Sequence, residues 1–88
     1  MSWMTILKIN ANPRTFLTEI QNVFGGEIKG QIGKGGKTWM MLSTDKGYVK
    51  IRGKRNTPFY VSVNGAIIGE DYDLDNLKET ALRELGGE

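Results

Sequence analysis

Short glycine-containing turns divide residues 27–63 into four runs of alternating apolar and polar side chains, and this spacing constrains the fold more than any other feature. The runs are Glu27–Ile32, Thr38–Ser43, Tyr48–Arg52 and Pro58–Val63. Connections this short favour antiparallel hairpins, because parallel neighbours need a crossover of about a dozen residues or more. The pattern therefore predicts an antiparallel meander.

The turns also predict a register for the meander. Closing each turn pairs the residues that flank it: Ile32 with Thr38, Ser43 with Tyr48, and Arg52 with Pro58. The last pairing sets Ile51 opposite Phe59 and Lys50 opposite Tyr60. All three pairings put the apolar side chains of the runs on one face, and a slip of one residue would exchange the two faces.

The opposite face collects basic and aromatic side chains. An antiparallel sheet can leave one face to water, but a tryptophan, two tyrosines and a methionine form a large exposed apolar surface. The face and its turns are therefore predicted to bind a ligand. The candidate residues are Lys29, Lys34, Lys37, Trp39, Met41, Tyr48, Lys50, Arg52, Lys54, Arg55 and Tyr60.

Two stretches outside the meander have helical periodicity. Asn12 as N-cap and Pro13 at the first position open a helix that is predicted to end at Phe24. A second helix is predicted over Asp73–Leu85, with Asp73 as its N-cap. Both helices need burial, so we expect them on the single apolar face of the sheet.

Two further strands complete the prediction. Thr5–Ile9 reads as a short strand before the first helix, and Asn64-Gly65 is a two-residue hairpin signal that adds a strand over Ala66–Ile68. The chain is thus predicted to be one small α+β domain over residues 1–88, with a four- to five-stranded antiparallel meander, an N-terminal β-α unit and a C-terminal helix. The predicted core is Leu7, Ile9, Phe16, Ile20, Phe24, Ile28, Met40, Leu42, Val49, Ile51, Phe59, Val61, Leu77, Ala81 and Leu82.

Composition argues against catalysis and against a metal or cofactor. The 88 residues include no cysteine and no histidine, which removes disulfides, thiolate ligands and the commonest general base. Gly36-Lys37-Thr38 resembles the end of a P-loop, but Gln31 stands where that motif requires its first glycine. There is no apolar run of roughly 20 residues and no signal-peptide pattern, so we expect a non-enzymatic cytoplasmic protein.

Charge is unevenly distributed along the chain. Residues 27–55 carry eight basic and two acidic side chains, a net of +6, whereas residues 56–88 carry two basic and seven acidic ones, a net of −5. A basic segment that also contains aromatic residues indicates a polyanion partner. The predicted function is binding of nucleic acid, in single-stranded form, with aromatic rings stacking on bases and cations following the phosphates.

Residues 48–85 also resemble a known DNA-binding pattern. The run from Phe59 to Gly69, followed by Asp71-Tyr72-Asp73 and the helix that ends at Leu85, resembles AP2-type and integrase arm-type DNA-binding domains. The resemblance implies a three-stranded sheet that enters the major groove and is backed by one helix. In this chain Phe59 or Tyr60 stands where those families have a tryptophan.

Two alternatives remain open from the sequence. Trp, Tyr, Met and Arg are also enriched at protein interfaces, so the same face suits a protein-interaction module, such as a small phage-encoded inhibitor or a homodimeric regulator. In the second alternative, the N-terminal segment with Trp3 and Met4 folds over this face and buries it.

Overall fold

In the part of the chain that the structure describes, five antiparallel strands form one sheet in the order β1-β2-β3-β4-β5, and two helices accompany it. The computed structural model describes residues 9–34, 37–54 and 56–87, except for the side chain of Ile32. The elements are α1 (Pro13–Phe24), β1 (Glu27–Ile32), β2 (Thr38–Thr44), β3 (Gly47–Gly53), β4 (Phe59–Val63), β5 (Ala66–Asp71) and α2 (Asp75–Leu85). This confirms the α+β prediction.

Both helices pack on the same face of the sheet, α1 against β1 and β2, and α2 against β3, β4 and β5. The Asn12 side chain caps α1 by accepting a hydrogen bond of 3.2 Å from the backbone N–H of Thr15. The helix begins at Pro13 and ends at Phe24, as predicted. Lys78 of α2 forms an ion pair of 3.2 Å with Glu19 of α1, which links the two helices at their surface.

The register of the first two hairpins is as predicted. Ile32 pairs with Thr38, and Ser43 pairs with Tyr48. The predicted β3–β4 register is wrong by two residues, because Arg52 pairs with Tyr60 and Ile51 with Val61. Since the shift is even, every side chain stays on its predicted face.

The β3–β4 connection explains that shift. The Thr57 hydroxyl donates to the backbone carbonyl of Lys54 (2.9 Å), and the Lys54 N–H donates to the same hydroxyl (3.3 Å). Asn56 adopts a left-handed backbone with φ 64. The contacts between Lys54 and Thr57 close a small loop, so the β3–β4 pairing begins only outside it, with Arg52 and Tyr60. The Phe59 ring then lies against Gly53, where a Cβ would collide with it.

Strand β5 is longer than predicted and contains a bulge. The turn at Asn64-Gly65 forms as expected, with Val63 paired to Ala66, but the strand continues to Asp71 rather than ending at Ile68. Ser62 pairs with Ile67 and Val61 with Gly69, which leaves Ile68 as the extra residue. The bulge therefore sets Gly69 on the helix-facing side, where Leu77 of α2 packs closely against it.

The core lies between the sheet and the helices. Its buried residues are Phe16, Leu17, Ile20, Met40, Leu42, Val49, Ile51, Val61, Val63, Leu74, Leu77, Ala81 and Leu85. Four of the predicted core residues are only partly buried: Phe24, Ile28, Phe59 and Leu82. The prediction for Ile9 is wrong, because its side chain is 55% exposed and it lies in no strand. The rest of the predicted strand over Thr5–Ile9, including Leu7, lies outside the described residues.

Helix α2 begins at Asp75, two residues later than predicted, and its N-cap is Leu74, without a side-chain cap, rather than the predicted Asp73. The carboxylate of Asp73 accepts hydrogen bonds from the backbone N–H of Asp75 (3.0 Å) and of Asn10 (3.1 Å). The N–H of Leu74 donates to the carbonyl of Asn10 (2.9 Å). Asp73 and Leu74 are thus held in a turn against the segment before α1. Neither described helix is long and apolar enough to cross a membrane.

Candidate nucleic-acid interface

The face of the sheet opposite the helices, called the outer face below, presents its side chains in rows that run across the strands. Neighbouring strands lie about 4.8 Å apart, so paired residues on one face are direct neighbours. The aromatic row consists of Gln31, Trp39, Arg52, Tyr60 and Glu70. The lysine row beside it consists of Lys29, Met41, Lys50, Ser62 and Ile67.

The aromatic row places an arginine between two exposed aromatic residues. Trp39 is 40% exposed and Tyr60 is 47% exposed, and Arg52 is the cross-strand neighbour of both. Strand β1 approaches β2 closely behind Trp39 because residue 30 is glycine. Gly30 has φ 142, and a Cβ there would collide with the Trp39 carbonyl oxygen. Gly30 therefore allows β1 to pack closely against β2, the strand that carries Trp39.

The lysine row supplies a second cation to the same cluster. The Nζ of Lys50 lies 5.9 Å from the centroid of the Trp39 ring, within the range of a cation–π interaction. Met41, the cross-strand neighbour of Lys50 in this row, is half-buried. At the β5 end of the row, Ile67 is 69% exposed. The row therefore runs from a cationic half to an apolar edge.

Tyr48 lies at one end of the outer face, next to the turn between β2 and β3. Its backbone N–H donates to Oδ1 of Asn64 (2.9 Å), and the backbone N–H of Asn64 donates to the Tyr48 carbonyl (2.9 Å). A side chain at Gly47 would collide with the Asn64 amide, so glycine is required for this contact. These bonds fix the backbone of Tyr48, whose side chain is 37% exposed.

An open groove covers most of the outer face and extends between the β1–β2 and β3–β4 loops. Among the described residues that line it, five are basic and none is acidic; the basic ones are Lys34, Lys37, Lys50, Arg52 and Lys54. Three exposed aromatic side chains, Trp39, Tyr48 and Tyr60, lie in the same groove. The described part of the groove is therefore cationic along its length and aromatic on its floor.

Nine of the eleven candidate residues line this groove together. They are Lys34, Lys37, Trp39, Met41, Tyr48, Lys50, Arg52, Lys54 and Tyr60. Lys29 does not; it borders a smaller depression at the sheet edge, beside Glu27 and Asp45. Arg55, like the N-terminal segment proposed to cover the face, lies outside the described residues. Reasoning from the sequence missed Glu70, because β5 was expected to end at Ile68. It also left out Ile67, although that residue lies within the predicted strand.

Glu70 is the one acidic side chain of the aromatic row. It pairs with Tyr60 across β4 and β5. A hydrogen bond from the phenol to the Glu70 carboxylate, together with the charge of that carboxylate, raises the pKa of Tyr60 above its usual value of 10.0. No metal-binding cluster of acidic side chains occurs in the described ranges.

No family model, curated protein or solved structure matches the chain at a significant level. The resemblance to AP2-type and integrase arm-type domains gains no support from these comparisons. The structure also embeds the corresponding strands, β3 to β5, in a wider five-stranded sheet that carries a second helix. The groove itself is therefore the feature that points to a function.

Proposed function

We propose that this chain is a non-enzymatic protein that binds single-stranded nucleic acid on the outer face of its sheet. The observation that carries the proposal is the groove, which combines five cations and three exposed aromatic side chains with no acid among its described lining residues. A basic groove that tracks the backbone, with rings on which bases stack, is the usual design of proteins that bind single strands.

The spacing of the rings favours a single strand over a duplex. Trp39 and Tyr60 lie two strands apart, which is about 10 Å. Bases of a duplex strand are stacked on one another about 3.4 Å apart, so neither ring can stack on their faces. An unstacked strand can lay one base on each ring, with its phosphates beside Arg52 and the lysines. Each stacked base contributes roughly 1–3 kcal/mol.

A fluorescence titration tests this proposal. In a Trp3→Phe background Trp39 is the remaining tryptophan, and we expect a thymidine decamer to quench its emission. Added salt should weaken the binding, because counterions are released from the phosphates. Inorganic polyphosphate is the control: it presents the same charge without bases, so it should bind without an equal quench. Absence of any decamer binding at low salt would contradict the proposal.

A protein interface is the second candidate, and Ile67 is the observation that favours it. This side chain is 69% exposed at the edge of the same groove, and apolar residues beside Tyr and Arg are typical of interfaces. The partner would be a second copy of the chain or a larger protein that it inhibits or regulates. An apolar interface does not weaken steeply with salt, so sedimentation at low and high salt separates the two functions. In either function we expect the protein to act in the cytoplasm.

A further inference from the structure

We infer that Glu70 selects the base that stacks on Tyr60, and that it favours guanine. The inference deepens the proposed function and rests on it. Glu70 is the cross-strand neighbour of Tyr60 on β5, at the edge of the sheet, and its carboxylate is close enough to the phenol to raise the pKa of Tyr60. A base stacked on this ring therefore lies with one edge beside the carboxylate.

The charge of Glu70 determines which part of a nucleotide lies there. The cations of the groove lie on β3 and on the β1–β2 and β3–β4 loops, whereas the acidic residue of the aromatic row, Glu70, lies on β5. Phosphates are attracted to the first region and repelled from the second. A strand in the groove thus directs its phosphates away from β5 and its bases toward it.

The chemistry of a carboxylate determines which base fits. An ionised carboxylate only accepts hydrogen bonds, with about four lone-pair positions on two oxygens. Guanine presents two adjacent donors on its Watson–Crick edge, the N1–H and the 2-amino group, which match the two oxygens. Adenine and cytosine present one amino group beside a ring nitrogen acceptor. Thymine and uracil present one N–H between two carbonyl oxygens, which the carboxylate repels.

The experiment compares three decamers by quenching of Trp39 in the Trp3→Phe background: all thymidine, thymidine with one central guanosine, and thymidine with one central inosine. Inosine is the matched control ligand, because it lacks only the 2-amino group. We expect the decamer with guanosine to bind about fivefold tighter than the all-thymidine decamer. This is the lower end of the discrimination that a bidentate hydrogen-bonded pair provides, because Glu70 is exposed to water. The inosine decamer should lie between them.

Three variants test the role of the carboxylate. Glu70→Gln keeps the shape of the side chain and should abolish the guanine preference. Glu27→Gln is the matched control: it removes the same charge from an exposed edge-strand residue, on β1, and should leave the preference intact. Tyr60→Phe keeps the ring and removes the hydroxyl beside the carboxylate, so the preference should persist. Its loss in Tyr60→Phe would show that Glu70 acts only by positioning the phenol, which overturns the inference.

The outcomes separate this inference from the proposed function. If the decamers bind with salt dependence but equally well, or if Glu70→Gln retains the guanine preference, the inference is wrong and the proposed function stands. If no decamer binds, the proposed function fails and the inference fails with it.

Discussion

Removal of two loop lysines should weaken nucleic-acid binding in a way that depends on salt. Lys34 and Lys54 are exposed and border the groove at the β1–β2 and β3–β4 loops. The loop at Lys54 is held by its backbone N–H and carbonyl, which both bond to Thr57. Truncation of both side chains to alanine therefore removes two positive charges and leaves the fold in place.

The magnitude follows from the number of cations in the groove. In single strands each neutralised phosphate adds about 0.7 to the slope of log Kobs against log salt. If each of the five described cations contacts a phosphate, the wild-type slope is about −3.5 and that of the double variant about −2.1. With the two lines meeting at about 1 M salt, the variant binds roughly 65-fold more weakly at about 50 mM and roughly tenfold more weakly at about 200 mM.

The assay is the Trp39 titration with the thymidine decamer at four or more salt concentrations. A charge-matched control carries Arg14→Ala and Lys46→Ala, since Arg14 is exposed on α1 and Lys46 is exposed in the turn between β2 and β3. This control should keep the wild-type slope. Equal slopes for the two double variants would refute the reasoning, because the groove cations would then contact no more phosphates than cations elsewhere.

Three further predictions concern single residues. Trp39→Ala should weaken decamer binding by roughly 1–3 kcal/mol, while Trp39→Phe should restore part of it; loss of folding in Trp39→Ala, seen by circular dichroism, would make this residue structural. Asn64 has φ 53 and accepts from the Tyr48 N–H, so Asn64→Ala should lose about 2–3 kcal/mol of unfolding free energy in urea, and Asn64→Gly, which tolerates this φ, only about 1 kcal/mol. Hydrogen bonds from the backbone N–H of Asp73 and from the Asn76 side chain lower the pKa of Asp71 below its usual 3.8. A lowered folded-state pKa stabilises the protein above pH 3.8 and loses this effect as pH falls through the folded value, so Asp71→Asn should flatten the acid dependence of Tm, and an unchanged dependence would contradict the assignment.

The sequence by itself determined which residues share a face. Alternation with a period of two depends only on backbone geometry, so Val49 and Ile51 had to face the core if Tyr48, Lys50 and Arg52 faced outward. The turn between Ser43 and Tyr48 left little freedom of pairing, and its register was predictable. Capping is equally local, which is why the start of α1 was found from Asn12 and Pro13 alone. The candidate residues of the groove follow from the same local rules.

The tertiary structure determined the β3–β4 register and the residue at which β5 ends. The β3–β4 register depends on the bonds between Lys54 and Thr57, and the length of that connection does not specify them. The bulge in β5 sets Gly69 under Leu77 of α2, a contact between residues that no local pattern links. That bulge carries Glu70 to the outer face beside Tyr60. The pairing of Glu70 with Tyr60 was therefore invisible in the sequence, because it depends on the bulge in β5 rather than on alternation along one strand.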